Sequence, residues 1–189
     1  MKKSLILLFL FFFINLFSQK TNPIVFIEGF ITIQQEEVAG FSLNYQSKNS
    51  LFTYRYSYLE KSRVKYLLAI PVYKKLNQAE EFSLMYGYRK SFDVYSLSFS
   101  MGVSYNIFKD YSLPDNNEIE KSEFGFPIEL SIKYFKKEKK QYRLFFLFPV
   151  GKSTGFSRSI GMKIVANISK YGYYGIALTY GFGWHKTYE

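Results

Sequence analysis

VYSLSFSMGVSYNIF, residues 94–108, alternates with a period of two over almost its whole length. Tyr95, Leu97, Phe99, Met101, Val103, Tyr105 and Ile107 fall on one face. Ser96, Ser98, Ser100, Gly102, Ser104 and Asn106 fall on the other. Successive side chains of a strand point to opposite faces, so this is a strand with one apolar side and one small, polar side. Its length exceeds the ~9–11 residues that a tilted strand needs to cross a bilayer.

The same split recurs along the chain. Near the C-terminus Tyr174, Ile176, Leu178, Tyr180, Phe182 and Trp184 oppose Gly175, Ala177, Thr179, Gly181 and Gly183. Phe41, Leu43 and Tyr45 oppose Ser42, Asn44 and Gln46, while Phe52, Tyr54, Tyr56 and Tyr58 oppose Thr53, Arg55 and Ser57. Phe82, Leu84, Tyr86 and Tyr88 oppose Ser83, Gly87 and Arg89. Phe124, Phe126, Ile128, Leu130, Ile132 and Tyr134 oppose Gly125, Glu129, Ser131 and Lys133. Ile160, Met162, Ile164 and Ile168 oppose Ser159, Gly161, Lys163 and Asn167. Less regular strands are expected at 23–34, 63–73 and 141–150. Turn signals separate the segments, among them Ser47-Lys48-Asn49-Ser50 and Gly151-Lys152-Ser153-Thr154-Gly155. One long loop, 109–121, holds Pro114-Asp115-Asn116-Asn117.

The pattern predicts an all-β fold, a closed antiparallel transmembrane β-barrel of 8–10 strands. Ten candidate strands can be counted. Ten would bring the 109–121 loop to the end that carries the chain termini, where membrane barrels keep their turns short. Eight strands remove that conflict, most simply if 63–73 is not a separate strand.

The N-terminus has its own logic. Lys2 and Lys3 precede an apolar run from Leu5 to Leu16 that only Asn15 interrupts, and Ser18 supplies a small residue before Gln19. This is the order of a secretory signal peptide, expected over 1–18, with the β-barrel domain over 19–189. The run is shorter than the ~20 residues of a spanning helix. No later stretch is apolar for that long, so a mature chain that spans a membrane must do so as a closed sheet.

Composition narrows the classes further. Phe and Tyr number 21 and 18, and aromatic residues make up 21% of the chain. Such residues suit pleated, half-buried surfaces, and Tyr and Trp suit membrane–water interfaces. There is no cysteine, which excludes a disulfide framework, a thiolate metal site and a cysteine nucleophile. The net charge of +10 is spread along the chain, with one compact cluster at Lys136-Lys137-Glu138-Lys139-Lys140. A solvated turn explains that cluster better than a nucleic-acid patch, so no nucleic-acid partner is expected.

Alternation alone does not say which face is wet. In a soluble sheet the aromatics would form the core; in a membrane barrel they would face lipid. The strand lengths, the export signal and the charges on the polar face favour the barrel. Arg55, Arg89, Glu129, Lys133, Arg143 and Lys163 are then expected to form a charge network in the lumen. Tyr54, Tyr56, Tyr58, Tyr86, Tyr88, Tyr180 and Trp184 are expected as interfacial aromatics.

The export signal, the segment Phe124-Gly125-Phe126-Pro127-Ile128-Glu129-Leu130 running on to Lys133-Tyr134, and the aromatic last strand ending at Trp184 together resemble small bacterial outer-membrane β-barrel proteins of the OmpX-like group. The resemblance covers most of the mature chain and rests on pattern. It implies location in the bacterial outer membrane, the lipid bilayer as a partner, and insertion by the barrel-assembly machinery. The chain departs from the usual ending, because His185 to Glu189 follow the last strand.

Candidate chemistry is sparse. Gly151-Lys152-Ser153 evokes a phosphate loop, but position 146 is Phe where that pattern needs glycine. His185 is the sole histidine, and with Thr187 and Glu189 it could suggest a hydrolase at the membrane edge. An incidental histidine in a C-terminal tail is the simpler reading. Glu123 and Glu129 could act as paired carboxylates, but neutralising cations inside the barrel is simpler. Tyrosines offer stacking surfaces for bases or sugars, but their placement on one face argues for a belt. The chain is therefore expected to be no enzyme, with no catalytic, cofactor or metal residues. A structural or interaction role with a side-chain-filled lumen is expected. A membrane-edge lipid-modifying enzyme and a soluble periplasmic barrel for an apolar ligand are the alternatives.

Overall fold

In the computed structural model, the backbone is described for residues 24–33, 37–67, 70–110, 119–138, 140–144, 148–170 and 172–187. The signal segment expected over 1–18 lies outside the described residues. Ten strands follow in chain order: β1 (Ile24–Thr32), β2 (Glu37–Ser47), β3 (Ser50–Leu67), β4 (Ile70–Ser91), β5 (Tyr95–Asp110), β6 (Ile119–Phe135), β7 (Lys140–Leu144), β8 (Phe148–Thr154), β9 (Phe156–Ile168) and β10 (Tyr173–Trp184). Eight of them form a closed antiparallel barrel in the order β1-β2-β3-β4-β5-β6-β9-β10, sealed by the β10–β1 pair. β7 and β8 pair with each other as a separate hairpin.

The two irregular segments account for the surplus strands. Leu67 pairs with Ile70, so 63–73 straddles the tip of one long hairpin instead of forming a strand of its own. Leu67-Leu68-Ala69-Ile70 carries no turn chemistry, which hides the reversal from pattern reading. Segment 141–150 straddles the β7–β8 hairpin, where Leu144 pairs with Phe148. With both removed from the ring, the loop expected over 109–121 falls at the end opposite the termini and is shorter than expected: β5 runs on to Asp110, which pairs with Ile119 of β6, and 111–118 lie outside the described residues. The termini end carries the Lys48-Asn49 turn, the short β4–β5 turn, and the β6–β9 connection that contains β7 and β8.

The phase of each strand decides what it buries. Along β10 every second residue from Tyr173 to Gly183 is buried and the intervening ones are exposed. Pro127 sits inside β6, and the β5–β6 ladder is interrupted between the pairs Met101–Ile128 and Ser104–Gly125. A proline lacks the N–H that the ladder would require there.

Backbone strain marks one turn. Lys48 has φ +54° in the two-residue turn between β2 and β3, a left-handed conformation that glycine adopts without steric cost. Lys48→Gly should stabilise the barrel by about 1 kcal/mol. Denaturant unfolding of the refolded protein would show it as a raised midpoint, and a lowered one would contradict the turn geometry.

Candidate functional site: the barrel lumen and its outer wall

The lumen is built in three tiers from the polar faces of the eight strands. At the termini end, His185 stacks parallel to Phe135 (centroids 5.8 Å apart, 8°) and packs at 5.0 Å from Phe26. The Arg89 guanidinium lies over the Phe26 ring at 4.8 Å and the Phe135 ring at 5.8 Å. It also donates to Ser96 Oγ from Nη2 at 2.9 Å and to Gln46 Oε1 from Nη1. These groups close the mouth of the barrel with aromatic and cationic planes.

The middle tier is a ladder of alternating charge. Arg55 reaches Glu81 at 2.7 Å and Glu129 at 3.2 Å. Glu129 meets Lys163 at 3.3 Å, Lys163 meets Glu28 at 2.9 Å, and Glu28 meets Lys133 at 2.6 Å. The chain of contacts Glu81–Arg55–Glu129–Lys163–Glu28–Lys133 crosses five strands. Each member is buried, so each ion loses its hydration and depends on its neighbours for compensation. Asn167 extends the ladder by donating to Glu81 Oε2 at 2.7 Å and Asn106 Oδ1 at 2.9 Å.

Gly125 makes room for this amide cluster. A Cβ there would collide with Asn167 Oδ1 and approach Asn106 Nδ2 to 2.7 Å. Towards the far end, Phe30, Val38, Leu59, Val165, Tyr173 and Ala177 form an apolar cap. A cavity of about 10 Å³ remains beside Glu81, Asn106 and Asn167, about enough for one water.

Of the residues singled out in the sequence, Arg55, Arg89, Glu129, Lys133 and Lys163 all lie in this lumen. Arg143 does not share it at the backbone level: it lies on β7, outside the closed ring, opposite Pro149, and its side chain is outside those described. Glu28 and Glu81 escaped sequence reading. The inward face of β1 reads Phe26, Glu28, Phe30, Thr32, so both faces of that strand look apolar. Glu81 stands one step before the first obvious apolar residue of its segment. Extending the odd phase of Ser83 and Arg89 backwards would have found it.

The aromatics are spread over the outer wall. Tyr86 and Tyr88 lie near the termini end, where Tyr86 OH meets Ser50 Oγ at 3.0 Å and Tyr88 OH accepts from Asn49 at 3.3 Å. Trp184 is at the same end, in edge contact with Phe156 at 5.3 Å. Tyr58 lies towards the opposite end and donates to Glu60 at 3.2 Å. Tyr54, Tyr56 and Tyr180 occupy the wall between. Two cross-strand rows, Phe41–Tyr56–Phe82 and Tyr45–Phe52–Tyr86, run over β2, β3 and β4.

The remaining candidates resolve simply. Gly151-Lys152-Ser153 lies on β8, a strand, where a phosphate loop would need to open a helix. Among the described residues, no group of three or more His, Asp or Glu side chains could hold a metal ion. His185 is not an exposed tail residue: the inward phase of Gly181 and Gly183 continues to it, and it is fully buried. Thr187 is exposed, so the two do not form a common surface site.

Burial holds the His185 imidazole neutral, with its pKa lowered to about 3, and nearby Arg89 and Lys133 add to the effect. The unfolded chain binds a proton below about 6.5 and the folded one does not. Stability is therefore complete above that value and falls as the pH drops towards 3. From pH 7 to pH 5 the loss should reach about 2 kcal/mol. His185→Phe should abolish that part of the pH dependence, as read from unfolding midpoints at the two pH values; an unchanged slope would place the titration elsewhere.

With this geometry in place, the chain belongs to the class of eight-stranded, closed antiparallel β-barrels. It resembles the N-terminal β-barrel domain of Pseudomonas aeruginosa OprF, with a TM-score of 0.53 at 16% identity over 87% of this chain and 98% of that one. It also resembles Ail, the attachment invasion locus protein of Yersinia pestis, with a TM-score of 0.50 at 9% identity over 85% and 97%. At these identities the likeness is one of fold. No protein-family model and no curated protein matches the sequence.

Proposed function

We propose that this chain is a small bacterial outer-membrane barrel, of the OmpX-like kind, with a structural or interaction role and no catalytic chemistry. The carrying observation is its inverted polarity. Arg55 and Arg89 are 0% exposed, whereas Leu84, Phe124 and Ile160 are 64%, 79% and 63% exposed. A water-soluble protein rarely exposes contiguous apolar surface on this scale, and a barrel in lipid requires it. The likeness to outer-membrane barrels supports the same reading. So does the export signal at 1–18, whose removal would leave the barrel to the assembly machinery.

On this reading the ion-pair ladder fills the lumen, as the width of an eight-stranded barrel allows. Steady open-pore conduction is not part of its function. Contact with partners falls to the loops and hairpins at the barrel ends, and Tyr86, Tyr88 and Trp184 at one end and Tyr58 towards the other anchor the wall at the interfaces. Burial of His185 sets it apart from any lipid ester at the membrane edge.

Heat-modifiable migration on a detergent gel tests the proposal, together with fractionation of the cell envelope. A shift on boiling, with the protein in the outer-membrane fraction, is the expected result. A soluble, unshifted protein would overturn it and leave a soluble barrel for an apolar ligand as the reading to pursue.

A further inference from the structure

The termini end of the lumen is closed by a residue that belongs to no strand. The last ladder pairs there are Gly183–Phe26 and Trp184–Phe156, so His185 stands one position beyond the wall. It is nevertheless fully buried. Its ring packs on Phe26 of β1 and Phe135 of β6, and neither ring nitrogen makes a hydrogen bond of ordinary geometry among the described residues. The charged groups facing it are Arg89 from β4, Lys133 from β6 and Glu28 from β1, with the backbone of Ser157 from β9 beside them. Glu28 is already shared by Lys133 and Lys163, and Arg89 meets no carboxylate among the described residues. Among the buried groups, Arg55, Arg89, Lys133 and Lys163 give four positive charges against three on Glu28, Glu81 and Glu129. A neutral imidazole suits this surplus. An imidazolium would add a further like charge beside Arg89 and Lys133 in a mouth closed to water.

We propose that His185 is a proton-operated plug: in acid the imidazole takes up a proton and leaves the mouth, while the eight-stranded wall stays closed. Departure breaks no ladder pair. It gives up the ring contacts with Phe26 and Phe135, and the hydrogen bond that Lys186 Nζ donates to the Asp93 carbonyl at 2.9 Å. Those contacts hold the plug in place at neutral pH. In water the imidazole has its ordinary pKa of 6.5, whereas in the mouth burial first, and then Arg89 and Lys133, hold it at about 3. The released form therefore binds the proton more tightly. Release is favoured roughly tenfold for each pH unit below about 6.5, levels off near about 3, and does not depend on pH above about 6.5. The vacated mouth is lined by Phe26, Phe135 and Arg89 and admits water to the charged lumen. The inference needs only the closed barrel and holds whichever medium surrounds the wall.

The chain has one histidine and no cysteine, so the plug can be read site by site. The full mature chain, refolded in detergent micelles with isotopically labelled histidine, is titrated by NMR from neutral pH to about pH 4. The expected result is a second, imidazolium signal with the narrow line of a mobile segment, growing while the protein still migrates as a folded barrel on a gel. A charged signal that appears only with the unfolded form, or a single neutral signal throughout, would overturn the inference. Charge is separated from ring contacts at neutral pH. Ser157→Cys places a thiol opposite Gly183, at a side chain whose hydroxyl is buried without a hydrogen-bond partner. Methyl methanethiosulfonate should label it at least about tenfold faster in H185K/S157C than in S157C. H185M/S157C, neutral and of similar length, should stay close to S157C. Equal rates in all three would sink the plug, and so would equally fast labelling of the H185M and H185K variants, which would make ring contacts alone the closure. H185R/S157C takes the place of H185K/S157C if the latter does not fold.

Discussion

Glu28→Gln is expected to destabilise the barrel by about 3–5 kcal/mol. Its carboxylate is fully buried and holds two ammoniums, Lys133 at 2.6 Å and Lys163 at 2.9 Å. Glutamine preserves size and keeps one acceptor but removes the charge. Lys163 retains Glu129 at 3.3 Å, whereas Lys133 loses the one carboxylate it meets among the described residues. It is left in the lumen with the Phe26 ring at 4.6 Å. Removing one partner of a buried pair costs more than replacing the pair, because the survivor stays desolvated without compensation. The double variant E28M/K133M should therefore lie much closer to the wild type than E28Q. Urea unfolding of the refolded protein in vesicles gives both numbers. A loss below about 1 kcal/mol for E28Q would mean that water reaches the ladder.

Met101→Arg tests the outside as Glu28→Gln tests the inside. Met101 is 52% exposed and stands midway along the outward face of β5, six residues from Tyr95 and six from Ile107. In a bilayer that position is near the midplane, where a lipid-facing arginine costs about 2–4 kcal/mol. In water the same change on an exposed strand would fall within about 0.5 kcal/mol. The two environments thus predict different outcomes for one substitution. A stability change near zero in vesicles would remove the lipid-facing assignment of this wall.

Much of the barrel was legible locally because a period of two needs only neighbouring residues to be read. The alternation of β5, β9 and β10 shows which residues share a face. β1 was harder, because Phe26 and Phe30 bring apolar side chains into a charged lumen and blur the contrast between faces. The long β3–β4 hairpin was harder still: its reversal falls in an apolar run without Gly, Asn or Asp. Surplus strands at 63–73 and 141–150 follow from reading each apolar run as one crossing.

The site was less legible than the wall. The cations of the ladder stand on clean alternating strands and could be picked out one by one. Their partners could not, since Arg55 meets Glu129 across a sequence separation of 74 residues and Lys163 meets Glu28 across 135.

By itself, then, the sequence determined that this protein is built of two-faced strands with small and charged residues on one side and aromatics on the other. Side-chain direction in a strand is a local property. Only the tertiary structure decided that eight strands close the ring, that the charged side faces inward, and that His185 plugs one end. Those outcomes depend on which strands become neighbours, and on charges far apart in the chain compensating one another once water is excluded.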